Sequence, residues 1–471
     1  MVKAAMVLLA AAALAGCAVG PDYQAPQLEL PEHWPDNVVL DPASGELLAA
    51  WWRRFEDPVL DGLIERALAD NLQVRMQAAR VEEARARLGL ARAEQWPTVG
   101  LQAEAARQRQ PAATFGIAGL ETPPRNLFSI SGVLGYEIDL WGRLAREREA
   151  AMARLQGSLY AQEAVRLGVI ADVAVGYFNL RSAQRQLDVT ERTLAARLEG
   201  VRIERLRFEA GQIDELAYRE AESQLAGTRA ELPGRISELR RRESALGLLL
   251  GLSPEELLGA LQVDAGTLGE ITLPAGIPAH LPSTLLVRRP DVRAAEAELA
   301  AATAGIGVAQ AARLPQFNLA GLLGTAAGSA GDLFGDEAQA WSIGTSIGVP
   351  LLDFGRGRTQ VETAEAQRLQ AEMAYRSTVA NAFVEVRDAL VFYESSGARL
   401  AAIDAQVQAL KRTEELAGIR YRDGYVSIIE LLAAQRALLA AELALAQAEA
   451  DRLAAAATLF KALGGGWEAK W

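Results

Sequence analysis

The chain has 471 residues, a formal net charge of −12, one cysteine and two histidines. An acidic chain repels phosphate backbones, and its Arg-rich stretch 235–242 is interleaved with Glu and Leu at helical spacing, so nucleic acid is excluded as a partner. A lone cysteine precludes an intramolecular disulfide, and two histidines, His33 and His280, are too few for a histidine-based triad or zinc motif.

With 6% aromatics and abundant Ala, Leu, Arg, Glu and Gln, the composition reads as long helices rather than a compact enzyme core. Gly305-Ile306-Gly307 and Gly355-Arg356-Gly357 lack the further glycines or lysine of a nucleotide loop, and Met76, Met152 and Met373 form no soft-metal cluster. No catalytic, cofactor-binding or metal-ligating residue is assigned, and the chain is not read as an enzyme.

In chain order, residues 1–16 read as a lipoprotein signal peptide. Lys3 precedes an apolar run from Val7 to Leu14 that is too short to span a bilayer, and the run ends in Leu14-Ala15-Gly16-Cys17, which resembles a bacterial lipobox. Cys17 is the expected lipid attachment, the one covalent group the sequence implies, and Ala18 after it, rather than Asp, fits sorting to the outer membrane in the lipoproteins that this segment resembles. Residues 17–56 form the lipidated extended N-terminal segment. Over 57–97 the apolar spacing of Leu60, Ile64, Ala67, Leu68, Val74, Val81 and Leu88 predicts a short helix, stopped at Trp96-Pro97.

Segment 98–140 reads as a strand pair. Phe128, Ile130, Gly132 or Val133, Leu134, Tyr136 and Ile138 alternate with Ser129, Ser131, Gly135 and Glu137, over the length of a tilted membrane strand. Segment 141–251 is a long helix and a return helix. No proline falls between Arg143 and Phe208, and Val173, Leu180, Leu187, Leu194, Val201 and Phe208 recur every seventh residue as a coiled-coil seam, on a rod of roughly 100 Å. Glu209-Ala210-Gly211 reverses the chain. Residues 252–288 are a linker, and the plan then repeats: 289–315 short helix, 316–353 strand pair (Trp341, Ile343, Thr345, Ile347, Val349), 354–464 long and return helices, 465–471 tail.

The repetition is a duplication. A shift of 213 lays Trp141-Gly142-Arg143 on Phe354-Gly355-Arg356, Phe208 and Gly211 on Tyr421 and Gly424, and Leu250-Gly251 on Leu463-Gly464. Upstream, a shift of 218 lays Val74-Arg75 on Val292-Arg293, Gly89 on Gly307 and Pro97 on Pro315, so the second copy is shorter only between Pro315 and Phe354. Its heptads, Val386, Tyr393, Leu400, Val407 and Tyr421, are broken once, at Glu414. The expected fold is mainly α with a β-barrel part, an internally duplicated helix-strand-strand-helix unit. Four strands cannot close in lipid, so chains must share a barrel; two chains give eight strands and a filled interior, three give twelve and a channel. A duct favours the homotrimer, with a helical barrel beyond the membrane.

Five motifs, in order over nearly the whole length, resemble the TolC-like outer-membrane factors, specifically the lipidated outer-membrane components of resistance-nodulation-division efflux systems. They are Gly16-Cys17-Ala18-Val19-Gly20-Pro21-Asp22-Tyr23, Trp51-Trp52 through Phe55-Glu56-Asp57-Pro58, Tyr136-Glu137-Ile138-Asp139-Leu140-Trp141-Gly142, Arg288-Arg289-Pro290-Asp291-Val292, and Ala462-Leu463-Gly464-Gly465-Gly466-Trp467. The resemblance implies a trimer with a twelve-stranded barrel in outer-membrane lipid and a helical barrel in the periplasm. It also implies an exit-duct role beside an inner-membrane pump and a periplasmic adaptor. A protein-secretion duct and a structural periplasmic coiled coil are the alternatives; the latter leaves the strand pairs idle. In the family a hydrophobic ring and an acidic ring narrow the periplasmic aperture just beyond the second turn. Ile429 matches the hydrophobic position and Arg436 the family's arginine, whereas Ala433 replaces the expected aspartate. Glu430 either substitutes for it or faces the neighbouring helix, and Asp214 and Glu215 at the first-copy turn are the residues expected to form the constriction if Ile429 and Glu430 do not. The reversals themselves, Gly211 and Gln212, then Asp423, Gly424 and Tyr425, are the expected adaptor-docking turns.

Overall fold

The computed structural model describes residues 18–29, 40–41, 50–109, 123–259, 261, 263, 268–274, 277–278 and 288–467. The signal peptide, Cys17, His33 and His280 lie outside the described residues. The chain is mainly helical with a four-stranded antiparallel sheet and a two-residue parallel pairing of Leu40–Asp41 with Ile277–Pro278, and it divides into two compact units.

The duplication holds to the residue in the helices. α3 spans Arg143–Glu209 and α4 Glu215–Leu249; α7 spans Arg356–Arg422 and α8 Ile428–Ala462, each boundary displaced by the same 213 positions. The short helix of the first copy is two helices, α1 over Pro58–Asp70 and α2 over Leu72–Ala93. The run read as continuous over 57–97 breaks at Asn71, which is buried with an extended ψ of 128°. Its side-chain oxygen accepts from the Gln73 and Val74 amides at 2.8 and 3.2 Å, capping α2, and its amide donates to the Leu249 carbonyl at 2.7 Å. Segment 252–288 holds a short helix α5, Pro254–Leu258, with a Ser253/Glu256 capping box. In the second copy α6 spans Pro290–Ala311.

The first unit lies within residues 18–27, 81–158 and 295–375 and carries the sheet. Its strands are β1 Thr98–Gln108, β2 Arg125–Ile138, β3 Gln316–Ala327 and β4 Gln339–Gly348, hydrogen-bonded in chain order. The segment after Cys17 is strapped to this unit. Val19 donates its amide to the Trp141 carbonyl at 3.0 Å, and buried Arg146 donates to the carbonyls of Val19 and Gly20 and to Asp22 at 3.3, 3.2 and 2.7 Å. Gly20 (φ 104°) lies so close to Gly307 that an added Cβ would stand 2.4 Å from its Cα.

The second unit, within 50–80, 159–294 and 376–467, holds the aromatic core. A 3₁₀ turn, Trp51–Phe55, inserts three buried rings; Trp51 stacks on Phe460 at 5.6 Å and Phe55 leans on Phe178 at 5.1 Å. Asp57 caps α1 through the amides of Val59 and Leu60 and accepts from the Tyr177 hydroxyl at 2.7 Å. The heptad seam is buried or half-buried throughout except at Phe208, and the break at Glu414 is met by Gln435 on α8, which donates to its carboxylate at 3.3 Å. Both return helices end on a positive-φ glycine, Gly251 and Gly464, each packed on a carbonyl two residues ahead of a helix, that of Asp70 ahead of α2 and that of Arg288 ahead of α6.

Candidate functional site: a two-faced sheet and two helix reversals

Strand pairing sorts the sheet into two faces. Leu101 pairs with Gly132, Gly132 with Leu323 and Leu323 with Trp341, so these share a face with Val99, Phe128, Ile130, Leu134, Tyr136, Phe317, Leu319, Ile343 and Ile347. Gly132, not Val133, therefore belongs to the apolar row. Val99, Leu101, Leu323, Trp341, Ile343 and Ile347 are 65–80% exposed, an apolar surface far beyond what a water-soluble sheet presents. The opposite face carries Gly100, Gln102, Glu104, Ser129, Ser131, Gly344 and Ser346 together with Val133 and Leu322. From Phe128 to Ile138 the strand covers about 34 Å, or about 25 Å of height at the usual tilt, matching the apolar band of an outer-membrane barrel. Among the described residues no helix is long and apolar enough to cross a membrane. At the sheet's foot, the Arg143 guanidinium is gripped by Glu137 at 2.8 and 2.9 Å; that hydrogen bond raises its pKa above the usual value.

The two reversals in the second unit share one geometry. Gly211 (φ 69°) donates to Phe208 and Gln212 to Arg207 at 2.9 and 2.8 Å; Gly424 (φ 80°) donates to Tyr421 and Tyr425 to Arg420 at 3.1 and 2.8 Å. A Cβ at either glycine would meet nothing within 4 Å, so backbone sign and not space requires glycine there. Gln212, Asp423 and Tyr425 are exposed, Tyr425 to 76%. The copies differ in their caps. Asp214 spends its carboxylate on the Ala217 amide at 2.8 Å, while Ser427 makes no side-chain cap bond. Glu215 pairs with Arg219 at 3.2 Å.

On α8, Ile428 and Leu432 are buried in a cluster with Ala221, Val201 and Tyr421. One position on, Ile429, Ala433 and Arg436 fall at i, i+4 and i+7 and form an outward row, with Ile429 41% exposed. Glu430 is exposed and lies about 60° around the helix from Ala433, by the turn per residue. No ion pair forms at Glu430 or Arg436 among the described residues. Burial lowers the pKa of Arg197, and the like charge of Arg436 pushes the same way.

Sequence reasoning missed two clusters. One is the strap on Arg146; Val19, Gly20 and Asp22 stand in the first motif, which gives no sign of the helix residue they bind. The other joins the two long helices near the reversals. Tyr421 donates to buried Glu204 at 2.6 Å and accepts from Arg207 at 2.7 Å, with the Arg207 guanidinium 5.1 Å from the ring centre. Burial and the Glu204 carboxylate push the Tyr421 hydroxyl up to about 12. Phe208, its counterpart by duplication, stacks instead on Tyr218 at 5.5 Å.

A sheet apolar on one face, set in a duplicated helical chain, defines the class: an outer-membrane channel subunit. The family model described as outer membrane efflux protein matches twice, over residues 63–252 and 281–465, once for each copy, and the chain belongs to this family. It is 32% identical over 460 residues to the cation efflux system protein CusC of Escherichia coli, covering 97% of each chain, and 32% identical to the solvent efflux pump outer membrane protein SrpC of Pseudomonas putida, covering 96% of each. Among solved structures it is similar to the outer-membrane channel OprN, with a TM-score of 0.87 and 31% identity over 96% of this chain and 100% of that one. The Campylobacter jejuni CmeC outer membrane channel gives 0.88 and 26%, over 97% and 96%.

Proposed function

We propose that three copies of this chain form the outer-membrane exit duct of a tripartite efflux pump, passing small toxic compounds received from a periplasmic adaptor and an inner-membrane resistance-nodulation-division pump. The observation that carries this reading is the open sheet: an apolar face of membrane height, a small and polar opposite face, and two unpaired edges, β1 and β4. Closing those edges with two further copies gives a twelve-stranded barrel whose polar face lines a water-filled passage. Conduction is passive and no covalent step is asked of the chain, since the sequence carries no energy-coupling motif. The work belongs to the pump.

Cys17 is the lipid attachment on this reading. The support is the strap, which packs Ala18, the residue that follows Cys17, against Gly142, four residues beyond the end of β2. Cys17→Ser is expected to abolish acyl labelling while the barrel still inserts, because shared strands bury far more apolar surface than acyl chains add. Undiminished labelling of the mutant would assign the lipid elsewhere.

The reversals at Gly211, Gln212, Asp423, Gly424 and Tyr425 serve as adaptor-docking turns, supported by their exposure and matched geometry. Proline fixes φ near −65° and cannot adopt the positive φ of either glycine. Gly211→Pro or Gly424→Pro is therefore expected to leave trimers intact and to abolish complementation of an efflux-deficient host; full resistance with either variant contradicts docking there.

Ile429 and Glu430 line the closed aperture, with Arg436 one to two turns beyond and Asp214 and Glu215 on the first-copy side. The outward row of α8 and the unpaired charges at Glu430 and Arg436 support this. Because Asp214 is held by its cap and Glu215 by Arg219, Glu430 is the acid free to form a ring of three, and an apolar ring beside it resists wetting. Ile429→Ala with Glu430→Ser is expected to raise single-channel conductance in planar bilayers and admit large antibiotics into cells, while Glu414→Ser leaves conductance unchanged. Parental conductance in folded double-mutant trimers would place the constriction at other residues.

A further inference from the structure

Resting on the reading of a barrel shared by three copies, we propose the residue-by-residue register in which one copy joins the next: β4 of one subunit pairs antiparallel with β1 of its partner so that Val349 faces Leu101, Ile347 faces Ala103, Ser346 faces Glu104 and Thr345 faces Ala105.

The chain already holds one such joint. β2 belongs to the first repeat and β3 to the second, so the β2–β3 ladder is a contact between repeats made within one chain. The duplication preserves strand register. Thr98 pairs with Gly135 inside the first repeat and Gln316 with Gly348 inside the second, the same pair moved by 218 and 213 positions. Moving β2 forward by 213 gives β4, and moving β3 back by 218 gives β1. The internal pairs Tyr136–Leu319, Leu134–Gly321, Val133–Leu322 and Gly132–Leu323 then become the four pairs of the proposal.

Strand ends supply an independent observation. β1 pairs with β2 only as far as Gly135, yet β2 continues to Ile138 because Tyr136, Glu137 and Ile138 find Leu319, Asn318 and Phe317 on β3. The equivalent residues 349–351 are not strand, and β4 stops at Gly348, where its own-chain partner stops. The missing length is the length that only a neighbouring copy can pair. Pro350 lacks an N–H, so the donor row of the joint ends at Val349.

Side chains agree with the register. Leu101 is 80% exposed and Ile347 65%, and the joint sets them on one apolar face with Val349 and Ala103, where cross-strand neighbours shield one another. Phe354, which stands where Trp141 does, is 92% exposed. Trp141 donates to the Pro315 carbonyl at 2.8 Å, and the duplication places Phe354 against Pro97 of the partner subunit.

Paired cysteines in the full-length protein in native outer membranes test the register. Glu104→Cys with Ser346→Cys lie on the polar face, where an aqueous oxidant reaches them. Opposed residues of an antiparallel ladder have Cα atoms about 4.5–5.5 Å apart, within disulfide range. The control, Gln102→Cys with Ser346→Cys, is displaced by two residues, about 7 Å along the strand, which takes the Cα separation beyond about 7 Å. Oxidation is expected to move most of the first variant into reducible dimer and trimer bands and to leave the control and each single mutant monomeric. Blue-native electrophoresis of the same samples, solubilised in mild detergent, reports assembly without regard to register. Preferential cross-linking of the offset pair, or of neither pair, while native gels show trimers, overturns the register and leaves the shared barrel standing. Monomers alone on native gels overturn the shared barrel and the register with it.

Discussion

An edge strand in hydrocarbon has nowhere to place the backbone groups that point away from its sheet. β1 and β4 leave about ten such groups along each edge, and each unsatisfied group costs several kcal/mol where no water is available. This cost exceeds anything a single chain of marginal stability can absorb. It makes assembly a condition of insertion. The apolar outer face, the polar inner face and the helices that follow the strands all acquire their use only after the edges are closed.

Duplication is how one chain meets that requirement economically. A repeat contributing two strands needs six copies around a barrel, and covalent pairing of repeats reduces the association to three bodies. The helical parts show the same repeated logic with different residues. Asn71 in the first copy and Arg289 in the second both tie the start of a short helix to the end of a return helix, through the carbonyls of Leu249 and Ala462. A neutral amide serves where one site suffices. Arg289 additionally reaches Asp291 and Glu385, at 2.7 and 2.6 Å, and these carboxylates raise its pKa against the opposing effect of burial. The repeats have thus diverged in chemistry while keeping geometry, as they have at Phe208 and Tyr421.

Much of this was legible in the sequence because the relevant signals are local. A seven-residue spacing defines a coiled-coil seam without knowledge of the partner, and a glycine at a reversal reports the sign of φ. Strand alternation was legible except at Gly132 and Val133, where two adjacent residues compete for one face and only the pairing with Leu101 and Leu323 decides. The break at Asn71 was not legible, because it depends on a carbonyl 178 residues away. The same holds for the strap on Arg146 and for the Glu204–Tyr421–Arg207 cluster, whose charged members, Glu204 and Arg207, look like ordinary helix-surface residues until the two long helices are side by side. At the candidate aperture the sequence exposed the departure at Ala433, and the structure adds that Asp214 and Glu215 are already engaged while Glu430 is not.

The central claim is that this sheet exists in lipid only as part of a closed barrel built by three chains. Counting strands in a density map of the protein reconstituted in lipid nanodiscs tests it directly. The account predicts one closed barrel of twelve strands, four from each of three chains related by threefold symmetry. An eight-stranded barrel from two chains, or a four-stranded sheet with open edges in the bilayer, would contradict it.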